Sequence, residues 1–115
     1  MKILAQSKER TWYLVKEWTT RAGLPARIHM CKWVERVSLP PHYTGYVQLP
    51  EGHAKRYYDS DTDVHGGVTF EGKMKGVAGV WTGFDMAHFG DDRIKNPENY
   101  AEDECERLAK IIKST

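Results

Sequence analysis

This chain has no run of the ~20 apolar residues that a membrane-spanning helix needs. Its opening, Met1-Lys2-Ile3-Leu4-Ala5-Gln6-Ser7-Lys8, is too polar for a secretory leader. Cysteine is scarce: Cys31 and Cys105 lie far apart, which excludes a disulfide framework and leaves two reduced, buried thiols as the expectation. Strong charge is missing too, because the formal net value is only +1. Repeats, low-complexity tracts and linkers are absent. From these absences the expectation is one domain, residues 1–115, in a cytoplasmic setting with no membrane attachment.

The charge is unevenly placed. Residues 1–60 hold ten Lys and Arg against five Asp and Glu, whereas residues 61–115 hold seven against eleven. The basic half also carries Trp12, Tyr13, Trp18 and Trp33, a mixture met in nucleic-acid binders. Against that, the overall charge is too small for a strong electrostatic footprint, so nucleic-acid binding by this half ranks last among the functional readings.

Pattern along the chain predicts an α+β fold: a small antiparallel sheet of about five strands, with a C-terminal amphipathic helix packed on one face. Thr11–Thr19 and Pro25–Val34 are rich in β-branched and aromatic residues and flank the turn signal Arg21-Ala22-Gly23. Tyr43–Leu49, Val64–Phe70 and Val80–Met86 supply three more strands. Glu71–Gly79, with three glycines, reads as a loose loop. Asn96-Pro97 suits a helix start, and Ala101, Cys105, Leu108, Ala109 and Ile112 form one apolar stripe.

Alternation within Val64–Phe70 and Val80–Met86 divides the residues by face. Val64, Val68, Phe70, Val80, Phe84 and Met86 form the apolar set. His65, Gly67, Thr69, Trp81, Gly83 and Asp85 form the other. A loop centred near Lys75 would set His65 opposite Asp85, Gly67 opposite Gly83 and Thr69 opposite Trp81. The facing glycines would make a flat floor between a His–Asp pair and a Thr–Trp pair. His88 and Asp91 follow closely, with Asp92 next. Asp59, Asp61 and Asp63 precede at a spacing of two. Structural duty is the competing account: a satisfied polar pair, a solvated loop, or close packing of another segment over the glycines.

Three chemistries fit this inventory. His65, Asp85, His88 and Asp91 could hold a divalent metal and activate water for hydrolysis. Asp85 could orient His65 for metal-free acid–base work. Or His65, Gly66, Gly67, Thr69, Trp81, Gly83, Asp85, His88 and Asp91 could form a recognition surface for a small anionic ligand or a host protein. No specific motif decides. The Asp59-x-Asp61-x-Asp63 run fails as a calcium loop at Val64 and Phe70, and no His-Glu-x-x-His or phosphate-loop pattern is present. No cofactor is specified.

Two strings are distinctive. Val64-His65-Gly66-Gly67-Val68-Thr69-Phe70 and Gly83-Phe84-Asp85-Met86-Ala87-His88-Phe89-Gly90-Asp91 resemble motifs of a small, largely uncharacterised bacteriophage and prophage protein family. Tyr43-Thr44-Gly45-Tyr46-Val47, Gly52-His53 and the Tyr100–Leu108 segment extend the resemblance over about residues 43–112. Where members carry two aromatics before the second string, this chain has Trp81-Thr82. The resemblance implies a setting, that of a phage-type accessory protein acting in the bacterial cytoplasm, and supplies no mechanism. Small size and the absence of an enzyme motif lead to the expectation that the hairpin binds a host protein or a nucleotide-like small molecule, with counteraction of host defence as a plausible use. A small metal-dependent hydrolase is the alternative.

Overall fold

The computed structural model describes residues 1–35, 39–53, 56–57, 62–87 and 93–115. Six strands precede one helix: β1 Lys2–Gln6, β2 Arg10–Thr19, β3 Pro25–Trp33, β4 His42–Gln48, β5 Phe70–Met74, β6 Val77–Asp85 and α1 Pro97–Lys113. The strands form a single antiparallel, curled sheet in the order β1-β2-β3-β4-β6-β5. Register shifts between Ile3 and Ala5 and between Leu14 and Lys16 interrupt the first two ladders, as bulges that bend a sheet do.

The α+β reading holds, with six strands instead of five. Strand β1 is the addition. Four of its five residues are exposed, and it forms by pairing with β2 at the sheet edge, not through an apolar alternation of its own.

The central hairpin differs more. Val64–Phe70 is not a strand, for only Phe70 joins β5. Residues 64–67 form a turn closed by the Gly67 N–H donating to the Val64 carbonyl at 2.9 Å. Gly66 and Gly67 both sit at positive φ, 66° and 77°, where an L side chain is strained. The segment read as a loose loop instead supplies β5 and the start of β6, joined through Lys75-Gly76 with Gly76 at φ 75°. Its glycines punctuate a hairpin rather than break it.

Residues alternate between two faces. Ala26, Ile28, Gly45, Val47, Thr82 and Phe84 face α1. Arg27, His29, Cys31, His42, Thr44, Tyr46, Gly83 and Asp85 face the other way. The helix lies over β3 and β4 and presents Ala101, Cys105, Leu108, Ala109 and Ile112, the stripe expected from the sequence. Asn96 occupies the N-cap position with φ 49° and makes no side-chain cap bond; Pro97 follows at the first turn. Gly45 is the point of closest approach. A Cβ there would run into the Phe84 ring and stand 2.8 Å from the Cys105 sulfur. Val64, Val68, Phe84 and Met86 join this core, and Val80 packs against it. Phe70 does not: its ring meets Tyr46 edge-on across the opposite face, at 5.5 Å between centroids. Both cysteines are free and buried. Among the described residues, no helix is long and apolar enough to cross a membrane.

Candidate functional site

The register separates the two residues set face to face by the sequence. Phe70 stands opposite Gly83 and Gly72 opposite Trp81, a shift of three residues for each. Asp85 takes its cross-strand partner from β4, where it faces Thr44. His65 belongs to the turn before β5 and is held by α1. Its backbone N–H donates to Glu104 Oε1 at 2.8 Å, and its Nδ1 lies 2.9 Å from the Tyr100 hydroxyl. Arg107 bridges Glu104 and Asp63 at 2.8 and 2.7 Å, tying the same turn down a second time. His65, Gly66 and Gly67 thus dock a turn onto the helix. The glycine floor does not form: a Cβ on Gly67 would meet nothing, whereas one on Gly83 would run into the Tyr46 ring at 2.7 Å. Gly83 makes room for Tyr46, not for a ligand.

Trp81 is buried at the middle of β6. Its indole N–H donates to the Ala78 carbonyl at 2.9 Å, and it lines a shallow depression with Trp18, Arg27 and Gln48. Thr69 and Asp85 do come together, beside Phe70. His88, Asp91, Asp92, Asp59 and Asp61 lie outside the described residues. Among the described residues no three His, Cys, Asp or Glu side chains are grouped to hold a metal ion.

What Thr69 and Asp85 share is a cavity of about 840 Å³ on the face away from the helix. Its walls draw on both halves of the chain. Arg10 and Trp12 come from β2, Trp33 from β3, His42, Thr44 and Tyr46 from β4, and Arg93 from the segment before α1. The register explains the assembly. Trp12, Cys31 and His42 form one row across three strands; His29, Thr44 and Asp85 form the next; Arg27, Tyr46, Gly83 and Phe70 form the third.

The rows are electrostatically distinct. The Arg10 guanidinium lies over both indoles, 5.7 Å from the Trp12 ring and 5.4 Å from Trp33, a cation–π arrangement that pre-positions the charge. Trp12 meets His42 edge-on at 5.7 Å. Burial lowers the His42 pKa; the Asp85 carboxylate opposes this and Arg10 reinforces it. In the next row burial drives His29 down to about 4, helped by the neighbouring Arg27 cation. Arg27 Nε donates to His29 Nε2 at 3.1 Å, so that nitrogen accepts and the ring proton resides on Nδ1. Burial also raises the Tyr46 phenol. Cys31 sits below Trp12 with no exposed surface, and burial raises its thiol against the pull of Arg10, which makes it a packed side chain and not a nucleophile.

Sequence reasoning flagged Trp12 and Trp33 only as members of a basic aromatic half, and it missed Arg10, His42, Thr44, Tyr46 and Arg93. The signal was the alternation of His42, Thr44 and Tyr46, which needed the β4–β6 pairing to acquire meaning. No protein-family model matches the sequence, and neither a curated protein nor a solved structure matches it.

Proposed function

We propose that this cavity binds a small anionic ligand carrying a flat heterocycle, with a nucleotide as the chemistry it fits. One observation carries the reading: two guanidinium groups, Arg10 and Arg93, share a single cavity with the aromatic rings of Trp12, Trp33, Tyr46 and Phe70. Its volume falls in the range typical of small-molecule sites, roughly 300–1,000 Å³. Arginine supplies planar, permanently charged donors for phosphate, and aromatic rings supply stacking surfaces for a base. Asp85 adds an acceptor for a ligand N–H. The ligand reading and the basic aromatic half therefore converge on one surface. In the phage-type accessory role suggested by the sequence resemblance, such binding would withdraw a nucleotide from the host.

Calorimetric titration with AMP, GMP, CMP and UMP tests the proposal. Binding of at least one is expected, weakened about tenfold by Trp12→Ala through lost stacking. Failure of all four to bind, or an affinity indifferent to both Trp12→Ala and Arg10→Ala, would overturn it.

A further inference from the structure

Among the described residues, three buried side-chain polar atoms on the sheet lack a hydrogen-bond partner, Trp18 Nε1, Thr82 Oγ1 and Thr44 Oγ1, and of these residues Thr44 alone lines the large cavity. It is only 6% exposed, lines the cavity, and its hydroxyl oxygen has no hydrogen-bond partner. The hydroxyl approaches the Tyr46 phenol closely enough to favour its ionised form, opposing the effect of burial, but the pair falls short of hydrogen-bond geometry. A hydroxyl can donate once and accept twice, and leaving all three capacities unused in a buried position carries a desolvation cost. Such an atom at the floor of a cavity marks where a ligand polar atom belongs.

Its neighbours say which part of the ligand that is. Thr44 stands between His29 on β3 and Asp85 on β6. His29 is buried beside Arg27 and the carboxylate of Asp85 repels anions, so this row is a poor place for a phosphate. Arg27 is paired with Glu17 at 3.1 Å and does not line the cavity, whose cations lie elsewhere. Arg10 is half-buried between its indoles and Arg93 is exposed, so the phosphate has its counter-charges nearer the rim. Asp85 already accepts the Ala87 N–H at 3.1 Å, and a carboxylate can accept more than one such bond, so a ring edge that presents an N–H beside an acceptor can engage Asp85 and Thr44 together. Side chains directly opposite on paired strands stand about 5 Å apart at Cβ, close enough for one heterocycle to touch both.

We infer that Thr44 and Asp85 form a base-reading subsite, in which the Thr44 hydroxyl bonds the polar edge of a nucleobase whose phosphate is held by Arg10 and Arg93. This rests on the nucleotide reading of the cavity and adds the orientation of the ligand within it.

Thr82 provides an internal control. Its hydroxyl is also buried and unpartnered, but it faces α1 with Val47 and Phe84, away from the cavity. The experiment titrates wild type, Thr44→Val, Thr44→Ser and Thr82→Val with each of the four nucleoside monophosphates and with ribose 5-phosphate, and records the melting temperature of each ligand-free protein. Thr44→Val should weaken the bound monophosphate about fivefold, the loss of one hydrogen bond, while ribose 5-phosphate binding stays unchanged. Thr44→Ser should keep wild-type affinity. Both valine variants should melt higher than wild type, because each removes an unpartnered hydroxyl, and Thr82→Val should leave both affinities untouched. Equal weakening of monophosphate and ribose 5-phosphate by Thr44→Val, or no weakening of either, overturns the subsite while the nucleotide reading survives. A lower melting temperature for Thr44→Val shows that the hydroxyl has an internal partner and also overturns it. No binding of any monophosphate by wild type removes the nucleotide reading and the subsite together.

Discussion

The two faces of the sheet solve opposite problems with the same strands. The face under α1 is apolar and closed, filled by Ile28, Val47, Phe84, Cys105 and Leu108 with no exposed surface beyond 1%. The other face buries Arg27, His29 and Thr44 without a helix over them, and leaves a cavity ringed by aromatics and cations. Closure on one side allows the other to hold polar groups that contribute little to stability by themselves. The difference teaches where to look for function: at the face whose burial is incomplete, not at the segment richest in reactive residue types.

Substitutions should reveal that division by affecting stability on one face and binding on the other. The largest effect is expected at Gly45. In Gly45→Val the new side chain would collide with Phe84 and Cys105, and overpacking of this severity should cost about 3 kcal/mol in denaturant unfolding. Tolerance of valine there would break the account of how the helix seats.

Acidity should reach the open face next. His29 has a folded pKa of about 4 against 6.5 for the free side chain. Between those values the unfolded chain binds the proton and the folded protein does not. Stability is therefore full above pH 6.5, falls as pH drops to about 4, and loses nothing more from this group below that. The loss should be about 3 kcal/mol, and His29→Gln should flatten that part of the pH profile. An unchanged slope in the variant would show that the buried imidazole is not its source.

Glu104 tests the turn. Its buried carboxylate accepts from His65 N–H and Arg107. Glu104→Ala should cost about 2 kcal/mol while nucleotide affinity stays at the wild-type value. A loss of affinity without a loss of stability would return the site to the His65 turn.

The smallest effect belongs to Gly67. Alanine there meets no neighbouring atom but must adopt φ 77°. Thermal unfolding should show a loss of about 1 kcal/mol with binding unaltered. Abolished binding with an intact fold would restore the glycine floor.

Much of the fold was legible in the sequence. The stripe from Ala101 to Ile112 specified both a helix and its buried side, and β-branched and aromatic content between turn signals placed β2, β3 and β4 to within a residue or two. Val64, Val68, Phe84 and Met86 were identified as core by alternation even though the first two lie in a turn and its exit. The site was less legible, for a definite physical reason. Alternation assigns residues to faces only after the register is known, and a three-residue slip moved Phe70 to Gly83, where Gly67 had been expected. Glycine carried two meanings that composition does not separate: Gly66 and Gly67 serve a turn, whereas Gly45 and Gly83 admit neighbouring rings. Arg10 carries no local signature, and the alternation of His42, Thr44 and Tyr46 acquires meaning only once β2, β3, β4 and β6 lie side by side, an order in which the β4–β6 pairing is non-local.

The central claim is that ligand binding occurs on the open face, opposite the helix. Amide chemical-shift mapping during titration with the nucleoside monophosphate that binds most tightly tests it most directly. The account predicts perturbations centred on Trp12, Thr44, Tyr46, Thr69 and Asp85, with Val64 to Gly67 and the middle of α1 unmoved. Perturbations centred on His65, Gly66 and Tyr100, with the open face silent, would contradict it.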